Sequence, residues 1–208
     1  YFGELTGNAV EKRIFEEPEQ TIAKEKTVYE DVPLNAIYIA FKICDRLHPD
    51  YYASDVTSDI LSNGTSSRLH QKLVKEEKAF VEIDAYITSS DDIGMFVVEG
   101  KITDGIELQK ATDLIWAEFK KMKEEKVNES ELQKCKNKML TYMNFSEASL
   151  LNRAISLAYY ELLGNANLIN EEEQQYDAVN AEHIQQFAQK TFTKERSNTL
   201  FYLKKESK

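Results

Sequence analysis

Apolar and polar positions along this chain change period several times, and each change predicts an element. Residues 35–43 (Asn-Ala-Ile-Tyr-Ile-Ala-Phe-Lys-Ile) are almost continuously apolar and β-prone, which predicts a central strand covered on both faces. Residues 80–88 set Val81, Ile83, Ala85 and Ile87 against Glu82, Asp84 and Tyr86. Residues 95–102 set Phe96, Val98 and Ile102 against Met95, Glu99 and Lys101. A stretch rich in Ser, Asp and Gly, residues 89–94, separates them, so the two runs predict an antiparallel hairpin with one buried face. Residues 25–31 and 199–203 read as further strands.

The rest follows helical spacing. A helix is expected over 51–62, capped by Asp50 and closed by Asn63-Gly64, and another over 66–77. Over 105–124, Ile106, Leu114, Ile115, Phe119 and Met122 form one stripe. Asn128 with Glu131 signals a helix start, running to about 145. Ser146 resets the chain before a helix over 147–163 that ends at Gly164. Asn180 caps a last helix, to about 191. Early strands, a run of helices and one returning strand define an α+β domain, with helices on one face of a mainly antiparallel sheet. Residues 1–24, polar and broken by Gly3, Gly7 and Pro18, read as a lead-in or linker; 25–208 read as one domain. The opening Tyr1-Phe2-Gly3 reads as the interior of a longer polypeptide.

Charge narrows the function. The chain has 208 residues, 26 Lys and Arg against 36 Asp and Glu, and a net charge of −10. An acidic surface repels phosphate backbones, which argues against nucleic-acid binding as the main role. No apolar run reaches the ~18 residues of a membrane span. The compartment is left open by these features; a soluble protein of the bacterial periplasm or cytoplasm is the expectation. Two cysteines, Cys44 and Cys135, read as free thiols, although a single disulfide would also fit.

The chemistry-bearing residues do not assemble into a familiar motif. No two of His48, His70 and His183 stand at helical spacing, and Cys44, four residues before His48, directly follows the expected strand rather than lying on a helix, so no metal cluster is visible. Glu182-His183 matches the end of the inverted zinc motif His-x-x-Glu-His, but its first ligand position holds Val179. One imidazole holds zinc weakly, so His183 reads as a surface residue in a first helical turn. Asn63-Gly64-Thr65-Ser66-Ser67 delivers backbone N–H groups to a helix start, which suits an anion but suits a plain turn and cap better. Asp91-Asp92 and Glu171-Glu172-Glu173 read as solvated carboxylates. Tyr159-Tyr160, with Leu162 and Leu163, reads first as core packing and second as a partner interface.

One stretch says more. Residues 59–80, Asp-Ile-Leu-Ser-Asn-Gly-Thr-Ser-Ser-Arg-Leu-His-Gln-Lys-Leu-Val-Lys-Glu-Glu-Lys-Ala-Phe, resemble a signature of the insulinase/pitrilysin zinc peptidases, which include the mitochondrial processing peptidases. In that family a helix ends in a Gly-containing turn, and Ser-Ser-Arg-Leu opens the next helix. Tyr1-Phe2-Gly3, the Glu-Pro-Glu lead-in, the strand at 35–43 and Leu163-Gly164 are similar to the family's pattern in the same order.

The resemblance implies homologous α+β domains around a chamber, with the zinc motif in the first domain and this chain as a second, non-catalytic one. Its expected cofactor is none of its own, with zinc in the partner domain. Its expected partners are the homologous zinc-binding domain, in the same chain or a sister subunit, and an extended peptide. Some relatives supply an Arg and a Tyr to substrate from this region; the matching positions here hold Val74 and Phe80, which cannot donate a hydrogen bond. Ser66, Ser67, Arg68, Val74 and Phe80 are thus the substrate-chamber candidates, with no catalytic residue among them and Arg68 also read as a salt-bridge residue. The alternatives are a structural or assembly subunit of the same fold and an unrelated small-molecule enzyme.

Overall fold

A computed structural model describes residues 17–88 and 92–205. The Tyr1-Phe2-Gly3 opening, Glu16 and Asp91 lie outside the described residues. Among the described residues, five strands form one mixed sheet in the order β1-β5-β2-β4-β3. They are β1 (Lys24–Glu30), β2 (Ala36–Ile43), β3 (Phe80–Thr88), β4 (Gly94–Ile102) and β5 (Ser197–Lys204). β1 runs parallel to β5; the other neighbours are antiparallel.

Alternation decides which face of the sheet is covered. Ile37, Ile39, Phe41 and Ile43 of β2 are buried, with Phe96, Val98 and Ile102 of β4 and Ile83 and Ala85 of β3 beside them. Three helices lie over this face: α1 (Asp50–Ser62), α2 (Leu108–Glu124) and α6 (Ala181–Thr191). Their apolar stripes meet the strands in an aromatic centre where Phe119 stacks on Phe192 at 4.4 Å and both approach Phe41. The described residues leave the other face open. Tyr38, Ala40 and Lys42 are only half-buried there, and Tyr86 and Met95 are 40% and 45% exposed. The expectation that β2 is covered on both faces is therefore corrected: helices cover one.

Local chemistry accounts for other departures. Val81, expected inward, is exposed because the β3–β4 register slips between Phe80 and Glu82. Phe80 itself lies over Gly100, where any Cβ would meet its ring at 2.6 Å. The helix expected over 66–77 includes a π-helical turn, His70–Glu76, in which the Glu77 N–H reaches back five residues to the Lys72 carbonyl. Asp50 is not a cap. It is the first helical residue, its N–H bonded to His48 Nδ1 and its carboxylate to Lys190.

Helix α2 begins at Leu108 rather than 105, because Gly105 adopts a positive φ. α3 (Glu129–Glu147) starts at Asn128, whose side chain accepts from the Ser130 N–H. α3 runs through Ser146; Ser149 makes the break and caps α4 (Leu150–Leu162), with Gly164 just beyond its end. Asn180 accepts from the N–H groups of Glu182 and His183 at the start of α6. A short helix α5 (Glu172–Ala178) follows α4 through a 3-10 turn. No helix among the described residues is long and apolar enough to cross a membrane.

Candidate functional site

Residues 59–80 fold back on themselves at Asn63 and Gly64. Gly64 has φ +95°, a conformation glycine takes without steric penalty, so α1 can stop and the next helix start at once. α3 crosses the turn. Lys138 donates to Asn63, and Lys134 Nζ donates to Ser66 Oγ at 3.1 Å. Arg68 makes a two-point contact with Glu131, at 3.0 Å from Nε and 2.7 Å from Nη2. Ser67 is buried, Val74 packs half-buried against the core, and Phe80 is buried over Gly100. The structure thus gathers Ser66, Ser67 and Arg68 under α3, and places Val74 and Phe80 in the packing behind them. Ser66 alone of the five is exposed.

The remaining candidates are dispersed. His183 sits in the first turn of α6, and the side chain of Val179 is buried. Among the described residues, no three or more His, Cys, Asp or Glu side chains converge to hold a metal ion. Both cysteines are free. Burial pushes each thiol up to about 11, so both are protonated and poorly nucleophilic at neutral pH.

Sequence reasoning missed a polar hub at Arg46. This side chain is 6% exposed, and its Nη2 donates to Tyr160 Oη at 2.9 Å and to Glu172 at 2.5 Å. The rings of Tyr51 and Tyr52 lie 4.2 and 5.1 Å from its guanidinium carbon. Glu172, expected on a solvated face, is instead the counter-ion of a buried arginine. Nearby, Tyr176 donates to Asp55 at 2.6 Å. Burial, reinforced by Asp59 and Glu172, pushes the Asp55 carboxyl up to about 6 despite the Tyr176 bond and Arg46. The available signal was an arginine beside Tyr51-Tyr52, with two further tyrosines far away in sequence.

Helix α4 is the other unexpected feature. Its expected core role is corrected: Tyr160 is its only buried residue, and α4 gives no side chain to the main core. Leu150, Leu151, Ile155, Leu157 and Leu162 are between 46% and 82% exposed, and Tyr142 and Phe145 at the end of α3 are 73% and 77% exposed. A helix apolar on several sides ordinarily lies inside a protein. α4 therefore presents an apolar surface that the described residues leave uncovered.

A trough completes the picture. Two adjoining cavities, of about 400 and 300 Å³, share Asp50, Phe187 and Lys190 where β2 ends beside α1 and α6.

The sequence profile of the peptidase M16 inactive domain matches residues 1–139. The chain belongs to the peptidase M16 family, as its inactive domain. The M16 chain is 25% identical over 158 residues to the Bacillus subtilis (strain 168) zinc protease YmxG, itself uncharacterized, covering 76% of this chain and 38% of that protein. A protease from Helicobacter pylori superposes with a TM-score of 0.88 at 23% identity, over 95% of this M16 domain and 48% of that chain. A peptidase M16 inactive domain from Pseudomonas fluorescens gives 0.80 at 16% identity, over 97% and 48%. This M16 chain spans less than half the length of each of these relatives. The likeness to the solved structures shows the α+β fold, a mixed and mostly antiparallel sheet backed by helices.

Proposed function

We propose that this M16 domain is the non-catalytic wall of a zinc metalloendopeptidase, and that it docks the zinc-bearing domain through α4. Helix α4 carries the reading. It is apolar, nearly uncovered, and held to its own domain through Tyr160 and Arg46 rather than through the core. Covering such a surface removes apolar area from water, worth roughly 25 cal/mol per Å² before the ordering costs of association. The zinc and its activated water belong to the partner domain. The open sheet face, with Tyr38, Tyr86 and Met95, offers a broad wall for an extended peptide. The signature residues lie on the helix-covered side instead: Ser66 offers an exposed hydroxyl beside α3, and Ser67, Arg68, Val74 and Phe80 brace the packing behind the wall.

Reconstitution tests this. The chain is mixed with the separately produced zinc-bearing domain, and complex formation and peptide cleavage are measured. The native pair should assemble and cleave. The Leu151→Glu/Ile155→Glu variant should lose at least ~10-fold in both, because buried apolar anchors dominate such interfaces. Unchanged assembly in the variant would refute docking through α4. Assembly with no cleavage would favour a structural subunit of the same fold.

A further inference from the structure

The segment that carries α4 and α5 is joined to α1 more by polar contacts than by core packing. No side chain between residues 144 and 175 enters the main core; Tyr176 of α5 is the first to do so. Its ring stands edge-on to Tyr52 at 4.9 Å, and its hydroxyl donates to Asp55 at 2.6 Å. Arg46 adds its bonds to Tyr160 and Glu172. A cavity of about 160 Å³, with Arg46, Tyr52, Tyr160 and Gln175 in its lining, opens beside this joint. The charges at the joint do not balance. Asp55 and Asp59 stand one turn apart on α1, Glu172 comes from α5, and the guanidinium of Arg46 is already paired with Glu172. Asp55 takes its 2.6 Å bond from a neutral donor. The other elements packed on α1 direct their charges elsewhere. From α3, Lys136 bonds the Asp177 carbonyl at 2.6 Å and Lys138 acts on Asp59. From α6, Lys190 bonds Asp50, which also meets His48. From β3, the apolar Ile83 and Ala85 face the helices.

We propose that Asp55 and Tyr176 form a proton-controlled latch: with Asp55 protonated, the arm of residues 149–178 stays closed on α1, and with Asp55 ionised the arm opens and lets water reach the carboxylate. A carboxylate enclosed with two like charges and one neutral donor is costly, and opening removes that cost. In the closed arm the Asp55 carboxyl keeps its proton up to about 6. In the open arm it faces water and titrates near ~3.9. Closure is therefore fully favoured below the open-state value and is lost as pH rises through the closed-state value. The Tyr176 bond favours the ionised form and offsets part of the burial cost, so it sets where the step falls. The consequence rests on the functional reading of α4: this helix rides on the arm, so its docking surface is held ready in acid, and docking weakens with the closed fraction as pH rises.

The test is residue-resolved hydrogen exchange of this chain between about pH 5 and about pH 7.5, corrected for the intrinsic rate at each pH. Amides of α4 and α5 should exchange ahead of those in the sheet. Their opening constant should rise about tenfold over this range, the ratio set by values of about 6 closed and ~3.9 open. Asp55→Asn keeps an acceptor for Tyr176 and should abolish the rise. Tyr176→Phe removes the donor that favours the ionised form, so its step should move to higher pH even where the arm is looser throughout. Exchange of α4 and α5 only together with the sheet, a tenfold rise that survives in Asp55→Asn, or a step that stays in place in Tyr176→Phe would overturn the latch. No zinc-bearing domain takes part, so failure here leaves docking through α4 standing, and failure of docking leaves the latch standing.

Discussion

Asp55 shows how much one side chain can hold in tension. Its carboxylate is enclosed by α1 and α5, takes a 2.6 Å hydrogen bond from Tyr176, and feels Asp59, Glu172 and Arg46. Burial dominates and lifts its pKa to about 6. The folded state therefore holds this proton more tightly than the unfolded chain, whose Asp titrates near ~3.9. The stabilisation is fully present below the unfolded pKa and is lost as pH rises from about 4 through about 6. Asp55→Asn keeps an acceptor for Tyr176 and removes the charge. Urea unfolding of the variant should lose this part of the pH dependence, on the order of 2 kcal/mol between pH 4 and 7. A native-like pH profile in the variant would assign the slope to other groups.

Between residues and the whole lie the elements, and here the sequence was legible wherever the local rule and the packing agreed. The β3–β4 hairpin, the caps at Asn128 and Asn180 and the stop near Gly164 each had a period or a capping atom to signal them. The structure departed where tertiary demands overrode local ones. The bulge at Val81 depends on Phe80 sitting over Gly100, and the π-helical turn keeps Leu69 and Leu73 buried together. α4 misled for a different reason: an apolar stripe looks the same in sequence whether its own domain or another covers it. Likewise Ser66, Ser67 and Arg68 formed a visible group, but their placement beside α3 depended on Lys134 and Glu131, more than 60 residues away.

The α4–α5 arm also yields a prediction at this scale. Arg46 links the arm to α1 through Tyr160 and Glu172. Arg46→Met removes one partner of a buried pair and strands Glu172, which should cost about 3 kcal/mol. Hydrogen exchange should show protection falling first in α4 and α5 while the sheet keeps its own. Uniform loss across the chain would mean that the hub supports the whole core instead of the arm.

At the scale of the molecule, one face of the sheet is sealed by α1, α2 and α6, the described residues leave the other open, and the apolar helix α4 stands outside the main core. Such a body is well suited to be one wall of something larger, in keeping with an M16 inactive domain that spans under half of its relatives. Hydrogen exchange of this chain, alone and with the zinc-bearing domain present, tests that view most directly. The account predicts new protection concentrated in residues 142–162, from Tyr142 on α3 through Leu162 on α4. Protection elsewhere, with exchange in α4 unchanged on association, would contradict it.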